Sequence, residues 1–354
     1  MIFGRIGRIL SKDCKGFSSI ISMRILYITR ANLSFSRAHT QNILKTVEVL
    51  RKHGDVVEFI AEKNELRLFM AVGKKRTVYD VLYFRDPYLW WVALFARFVL
   101  RKKVVFEVHG SHEWRMGAPF WRAALLVSTS AVFITNKLAE YYRYRKPFVV
   151  THTSGVDIDS FNVSSEILNN VRVSSGLSVG VPVLLYAGSF LWYDIHALVE
   201  MMPQLKHQAQ LVIVGAKAHE EQELLTLAKS LGVSDRVHIV GRVTPALLPP
   251  YLLLADILLN PLKISYPSSI SSKLYEYLAT GKAIISTKGG ANDEVIDNGR
   301  NGVLLDSTDS AVFARAVDDL LGDLLKVRQL GDTAKLDSQR YTWDARAKSI
   351  KTLL

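Results

Sequence analysis

A serine-rich stretch, Tyr266-Pro267-Ser268-Ser269-Ile270-Ser271-Ser272, runs directly into Lys273-Leu274-Tyr275-Glu276-Tyr277-Leu278-Ala279-Thr280. The second part has a helical pattern, so the serines lie at a helix start. Main-chain N–H groups there lack intrahelical partners and, with the hydroxyls, offer an anion site. Lys273 in the first turn adds a positive charge suited to phosphates. Glu276, three residues on and on the same helical face, can accept two hydrogen bonds from a ribose diol. A capped helix with Glu276 stabilised by the macrodipole is the alternative, and residue chemistry alone leaves both open.

Other candidates stand at strand ends. His109 ends the run Val104-Val105-Phe106-Glu107-Val108, and Glu107 shares its face. Arg30, Arg37 and His39 follow the first strand, and Arg85-Asp86-Pro87 follows another. Arg37, His39 and Arg85 are expected at the acceptor, and each also suits a structural role. Asp157-Ile158-Asp159 superficially matches an Asp-x-Asp metal motif, but its setting near the end of a first domain points away from that use. No metal and no cofactor is expected. Gly4-Arg5-Ile6-Gly7 lacks a preceding strand and is not a dinucleotide fingerprint.

The elements that must position these residues alternate. From Met23, β-rich runs at 24–29, 55–60, 79–84, 103–108, 131–135 and 148–150 are separated by amphipathic stretches such as 39–53, 88–100 and 118–127. Continuous apolar runs alternating with helices predict a parallel sheet buried on both faces. Around residues 173–180 the composition turns small and polar, as a linker does. The alternation then restarts, with strands at 183–187, 211–214, 237–240, 257–260, 283–287 and 303–305. Helical stretches at 195–202, 220–231, 246–255, 274–280 and 310–321 separate them. The expected fold is α/β, with two Rossmann-like, doubly wound parallel-sheet domains facing a central crevice. Open α/β sheets bind ligands beyond the carboxyl ends of their strands.

Length and composition fit this division. The 354 residues suffice for two domains of ordinary size, and 49% hydrophobic with 22% charged residues describes a globular chain. A lone cysteine, Cys14, cannot form an internal disulfide, which points to a reducing compartment. The net charge of +12 suits anionic partners, with basic clusters at Lys74-Lys75-Arg76, Arg101-Lys102-Lys103 and residues 143–146. A solvated basic face is the alternative. Residues 88–100 fall well short of the about 20 apolar residues of a bilayer span, and Arg97 interrupts them. Residues 1–22 read as a basic, membrane-adsorbing extension or as sequence ahead of a true start at Met23, the latter being favoured.

The segment 266–282, followed by Ala283-Ile284-Ile285-Ser286-Thr287 and Gly289-Gly290, resembles the nucleotide-sugar site of retaining family 4 glycosyltransferases. Further matches follow in the family's order. They are Val183 to Phe190, Leu211-Val212-Ile213-Val214-Gly215, Asp235 to Val243, Glu294-Val295-Ile296 and Asn301-Gly302-Val303-Leu304, with Thr153 to Phe161 before the linker. The resemblance covers Met23 to the C terminus and implies the GT-B fold. It divides the chain into a basic extension (1–22), an acceptor domain (23–175), a nucleotide-sugar domain (176–338) and a final helix crossing back to the first domain (339–354).

By resemblance, Glu276 holds the donor ribose and the loop Gly241-Arg242-Val243 presents main chain to the base. His109 lies near the transferring sugar, where a neutral imidazole can orient a hydroxyl or support an oxocarbenium-like charge. His109 and Glu276 are thus the expected catalytic pair. Gly188, Ser189, Gly215, Arg242, Lys263, Ser268, Ser272, Lys273 and Leu274 complete the expected nucleotide-sugar site. Two departures stand out. The family commonly has two glutamates seven residues apart, and the earlier position here is Ser268. Its Arg and Lys after the glycine matching Gly188 are replaced by Ser189-Phe190-Leu191-Trp192-Tyr193-Asp194, without a cation.

The expected activity is metal-independent, retaining transfer of a hexose-type unit from a UDP- or GDP-sugar to a glycan or lipid-linked acceptor. Surface-polysaccharide assembly, as in lipopolysaccharide, is the expected setting. The protein is expected in the cytoplasm, docking peripherally on the inner membrane face, with no nucleic-acid partner. The alternatives are a catalytically impaired GT-B protein that binds nucleotide sugar, and a nucleotide-sugar epimerase.

Overall fold

The computed structural model describes residues 22–31, 38–110, 117–152, 154–263 and 270–354. Cys14, Arg37, Ser268 and nearly all of the 1–22 extension lie outside them, as does the side chain of His39.

The first sheet comprises β1 (Arg24–Thr29), β2 (Val56–Ala61), β3 (Val81–Phe84), β4 (Lys103–Val108), β5 (Ser130–Phe133) and β6 (Phe148–Val150). Their order is β2-β1-β3-β4-β5-β6, all parallel. The second comprises β7 (Val183–Ala187), β8 (Gln210–Ala216), β9 (Val237–Gly241), β10 (Ile257–Asn260), β11 (Ala283–Thr287) and β12 (Val303–Leu305). Its order, β12-β11-β10-β7-β8-β9, is again parallel. The topological switch points, β1/β3 and β7/β10, are where open α/β sheets receive ligands.

The period of two along each strand divides its side chains between two cores. Leu184 and Tyr186 of β7 join one apolar cluster, while Val183, Leu185 and Ala187 join another. In the first sheet, Leu26 and Ile28 face one way and Ile25 and Tyr27 the other. Helices therefore cover both faces of each sheet. Those that bear on function are α1 (Ala38–Lys52), α2 (Glu65–Lys74), α3 (Trp90–Phe98), α4 (Gly117–Val127), α5 (Asn136–Tyr141) and α6 (Ser165–Ser174). Beyond them come α7 (Ile195–Glu200), α8 (Ala218–Ser230), α9 (Leu248–Leu254), α10 (Lys273–Thr280), α11 (Ser310–Leu321), α12 (Leu324–Ser338) and α13 (Trp343–Lys351).

Residues 156–175 were expected with the first domain, but they pack on the second. Val156, Ile158, Phe161, Leu168 and Val171 join Leu185, Leu252 and Tyr275 in one cluster. The polar composition near 173–180 marks the end of α6, whose Leu168 and Val171 are half-buried against the second domain. The chain passes between domains beside 154–156 and again at 341–343, and these segments run side by side, with Val156 N–H donating to the Tyr341 carbonyl at 2.8 Å. Gly155 permits this crossing, because a Cβ there would lie 2.5 Å from the Trp343 ring. Beyond it, Ala347, Ile350 and Leu353 of the α13 segment pack with Ile25, Ile43 and Leu50 of the first domain.

Candidate functional site

The carboxyl ends of the two sheets face each other. Glu294, beyond β11, accepts hydrogen bonds from Asn136 N–H (2.6 Å), Asn136 Nδ2 (2.9 Å) and Lys137 N–H (2.9 Å), beyond β5. It caps the free N–H groups of α5 from the opposite domain. Lys137 answers with an ion pair to Asp293 at 2.7 Å.

In the second domain the site is built at the β7/β10 switch point. Gly188 ends β7 at φ +140°, and Gly215 occupies the bulge of β8 at φ +110°. Any side chain at Gly215 would strike the Gly188 backbone, and any at Gly188 would strike Lys273. This close stacking brings the Lys273 ammonium from α10 beneath the end of β7. There its Nζ lies 3.5 Å from the centre of the Tyr193 ring and 3.9 Å from that of Tyr186. Such cation–π contacts only partly replace hydration. Nζ is buried without a hydrogen-bond partner among the described residues. Burial holds its pKa well below the usual lysine range, with Glu276 opposing. Burial likewise raises the Glu276 carboxyl, opposed by Lys273.

The expected supply of free donors at the start of α10 is reduced. Leu274 N–H donates to the Ser271 carbonyl at 3.0 Å and Tyr275 N–H to Ser272 at 3.3 Å, tightening the first turn. Ser271 N–H donates to Asn292 Oδ1 at 3.1 Å. The Leu274 side chain is core, so it contributes packing and not ligand contact. Ser272 is exposed and makes no side-chain cap. Beneath the turn, buried Asn260 donates to Ser271 and Ser286 hydroxyls at 3.3 and 2.8 Å, and Tyr193 donates to Ser271 at 3.1 Å. Ser189 is exposed, its carbonyl accepting from the Tyr186 hydroxyl at 2.5 Å. Lys263 is exposed, its N–H donating to the Trp192 carbonyl. Arg242 is exposed beyond the edge strand β9, two strands from β7, and is not joined to the Lys273 group.

In the first domain a cavity of about 700 Å³ opens at the ends of β1, β3 and β4, lined in part by Arg30, Lys63, Arg85, Tyr88, His109 and Trp121. Arg85 Nη2 lies 3.1 Å from His109 Nδ1. His109 Nε2 is 2.8 Å from Glu107 Oε1, an approach too oblique for an aligned hydrogen bond. Burial, then the Arg85 charge, holds the imidazole at a pKa of about 4, so it is neutral at pH 7. Both ring nitrogens face protein groups, and the ring does not offer a nitrogen to the cavity in this arrangement. Arg30 is tied to Glu65 at 3.0 Å. Asp157 and Asp159 line a separate hollow beside α1 and α13. Among the described residues no cluster of three His, Cys, Asp or Glu could hold a metal ion.

Sequence reasoning missed Tyr186, Tyr193, Asn260, Glu294 and Arg346. Tyr193 had a visible signal, since it lies in the run after Gly188 where cations were missing. The others are recognisable only once distant segments meet.

Residues 181–323 match the family model described as Glycosyl transferases group 1. A D-inositol 3-phosphate glycosyltransferase of Xylanimonas cellulosilytica is 29% identical over 204 residues, covering 55% of this chain and 48% of that protein. The chain spans about half the length of the first curated relatives it matches. Anabaena HepE, solved in complex with UDP, superimposes with a TM-score of 0.74 at 18% identity over 94% of this chain and 99% of that one. The lipopolysaccharide outer core galactosyltransferase WaaB, in its apo form, gives a TM-score of 0.70 at 16% identity over 94% and 99%. These likenesses establish the GT-B fold.

Proposed function

We propose that the chain is a glycosyltransferase that moves a hexose-type unit, with retained configuration and without an obligatory metal, from a UDP- or GDP-sugar. The observation that carries this reading is the lone ammonium of Lys273 set behind Gly188 at the β7/β10 switch point, with Glu276 one turn along α10. Its support is the match of residues 181–323 and the likeness to a UDP-bound fold neighbour.

The donor diphosphate takes Lys273 from the two tyrosine rings, and an anion replaces a weak π partner. Glu276 accepts the ribose hydroxyls. As the diphosphate leaves, Lys273 and the positive end of α10 offset its charge. The acceptor hydroxyl enters from the first domain, beside Arg85 and His109, on the face from which the diphosphate departs. Arg37, His39 and Ser268 keep the roles expected of them, at the acceptor and at the donor sugar.

The acceptor we propose is a glycan or lipid-linked saccharide at the inner membrane face. Phe98 and Val99 end α3 exposed, as Leu126 ends α4, and Arg97 bonds the Val127 and Ser128 carbonyls between them. Lys146 joins the same α4 end, giving an apolar tip flanked by two cations, which suits a peripheral contact with anionic lipid. No helix among the described residues is long and apolar enough to cross a membrane.

A thermal-shift screen of nucleotide sugars, followed by product analysis with and without acceptor, tests the reading. Selective stabilisation by one donor and a glycosylated product support it. Binding without transfer points to an impaired relative, favoured by the buried state of Lys273. An altered sugar without acceptor points to an epimerase.

A further inference from the structure

Glu107 stands at a position of β4 where the core is otherwise apolar. Its side chain is fully buried on the face shared by Val105, Tyr27 and Tyr83, under α1 and α13. A carboxylate there is tolerated only if paired and hydrogen-bonded. Tyr83 donates to Oε2 at 2.7 Å, and Arg346 Nη2 donates to Oε1 at 2.5 Å. Arg346, 1% exposed, comes from α13, 239 residues away in sequence. It is itself held by Thr46 Oγ1 at 3.2 Å and by the His152 carbonyl. Each of its three nitrogens thus donates to a protein group in the core.

The proton position on His109 follows from its neighbours. A guanidinium can only donate, so Arg85 Nη2 beside Nδ1 requires the lone pair there, and the ring proton sits on Nε2, where the Glu107 carboxylate 2.8 Å away attracts it by charge without an aligned hydrogen bond. We propose that Arg346 is a positioning residue for the first-domain half of the site: by keeping Glu107 a carboxylate, it fixes His109 as the neutral Nε2–H tautomer and so sets both His109 and Arg85 in the cavity wall. This rests on the proposed transferase reading for its catalytic consequence, though not for the tautomer.

The charged and titratable groups facing His109 are Glu107 on β4, Arg85 after β3, Arg346 on α13, and the Tyr27 and Tyr83 hydroxyls beneath. Lys63, Arg30 and Asp86 stand around the cavity. Arg30 cannot replace Arg346, being held by Glu65 and Asp86. Without Arg346, the buried carboxylate keeps only Arg85, 4.0 Å from Oε1, and His109, 2.8 Å away, as counter-charges, and more of the demand falls on His109. A cation that opposed imidazolium is also gone. Both changes favour a protonated His109.

The test is long-range proton–nitrogen NMR of the imidazoles in the full chain, with His109 assigned through His109→Gln. The wild type is expected to show a neutral Nε2–H ring at pH 7. In Arg346→Met the His109 midpoint is expected to rise by more than about one pH unit. With the donor found by the thermal-shift screen, kcat falls while KM for that donor changes less than about threefold. Arg346→Lys restores most of both. Should Arg346→Met not fold, the double variant Glu107→Gln/Arg346→Met removes both charges together, and the neutral Nε2–H ring is expected to return. An unmoved His109 titration in folded Arg346→Met overturns the proposal, as does a protonated ring at pH 7 in the double variant. Absence of both UDP and GDP binding by the wild type would sink the transferase reading while leaving the NMR outcome to decide the tautomer.

Discussion

A Cβ placed on Gly188 would lie 2.6 Å from Nζ of Lys273 and 3.0 Å from its Cε. The glycine and the lysine thus occupy one another's space, and the ammonium reaches the end of β7 only because residue 188 has no side chain. Gly188→Ala is expected to lower stability by about 1–3 kcal/mol, through displaced Lys273 and a strained positive φ. UDP affinity is expected to fall at least about tenfold. Gly73, inside α2, where a Cβ would meet nothing within 4 Å, is the control: Gly73→Ala should raise stability by up to about 1 kcal/mol and leave UDP affinity unchanged. Denaturation midpoints and calorimetry of the two variants check this.

Lys273→Met should act in opposite directions on the free and bound protein. An unpaired cation under two rings costs desolvation that an apolar side chain avoids, so the ligand-free variant is expected to be more stable by about 1 kcal/mol. UDP should then stabilise it much less than the wild type, whereas uridine should bind both alike. Equal losses for UDP and uridine would remove Lys273 from the phosphates.

Glu294→Ala breaks the contact across the crevice. Losing the carboxylate leaves three donors at the start of α5 without their partner and is expected to cost about 1 kcal/mol. The domains should then sample more open arrangements, seen as a larger radius of gyration in small-angle scattering. Glu294→Gln, which retains one acceptor oxygen, should show a smaller increase.

Strands were legible because both sheets are buried on two faces, and unbroken apolar runs such as Val183 to Ala187 admit little else. Boundaries slipped where polar residues flank the core, as at β2, which begins at Val56 after buried Asp55. Helix α12 escaped notice because its long polar side dilutes the period, with only Leu330, Gly331, Ala334, Asp337 and Ser338 buried. At the candidate site, Lys273 and Glu276 are local in sequence, so type, spacing and the family resemblance together single them out. Arg346 and Glu107 are meaningful only as a pair, and 239 residues separate them. The polar stretch near residue 175 misled because it ends a helix that packs on the second domain.

Stability should fall in mild acid. Burial, with nearby Arg85, holds His109 at about 4, and burial, with nearby Arg346, holds His152 at about 3. In the unfolded chain both imidazoles protonate near pH 6.5. Between those limits the unfolded state binds more protons, so stability declines as pH drops below about 6.5. At pH 5 the two histidines together should cost roughly 4 kcal/mol relative to pH 7.5. Buried Glu107, held well below the carboxylate range by Arg346, Arg85 and His109 against its burial, adds a further loss only below about pH 4.5. Urea midpoints from pH 7.5 to 4.5 measure this, and His152→Gln should flatten the slope above pH 5.

Titration calorimetry of UDP against the wild type and Glu276→Ala bears most directly on the transferase reading. A saturable 1:1 isotherm for the wild type, weakened at least about a hundredfold in Glu276→Ala with the fold intact by circular dichroism, is the expected result. No heat from UDP or GDP with the wild type, or the same affinity in both proteins, would contradict it.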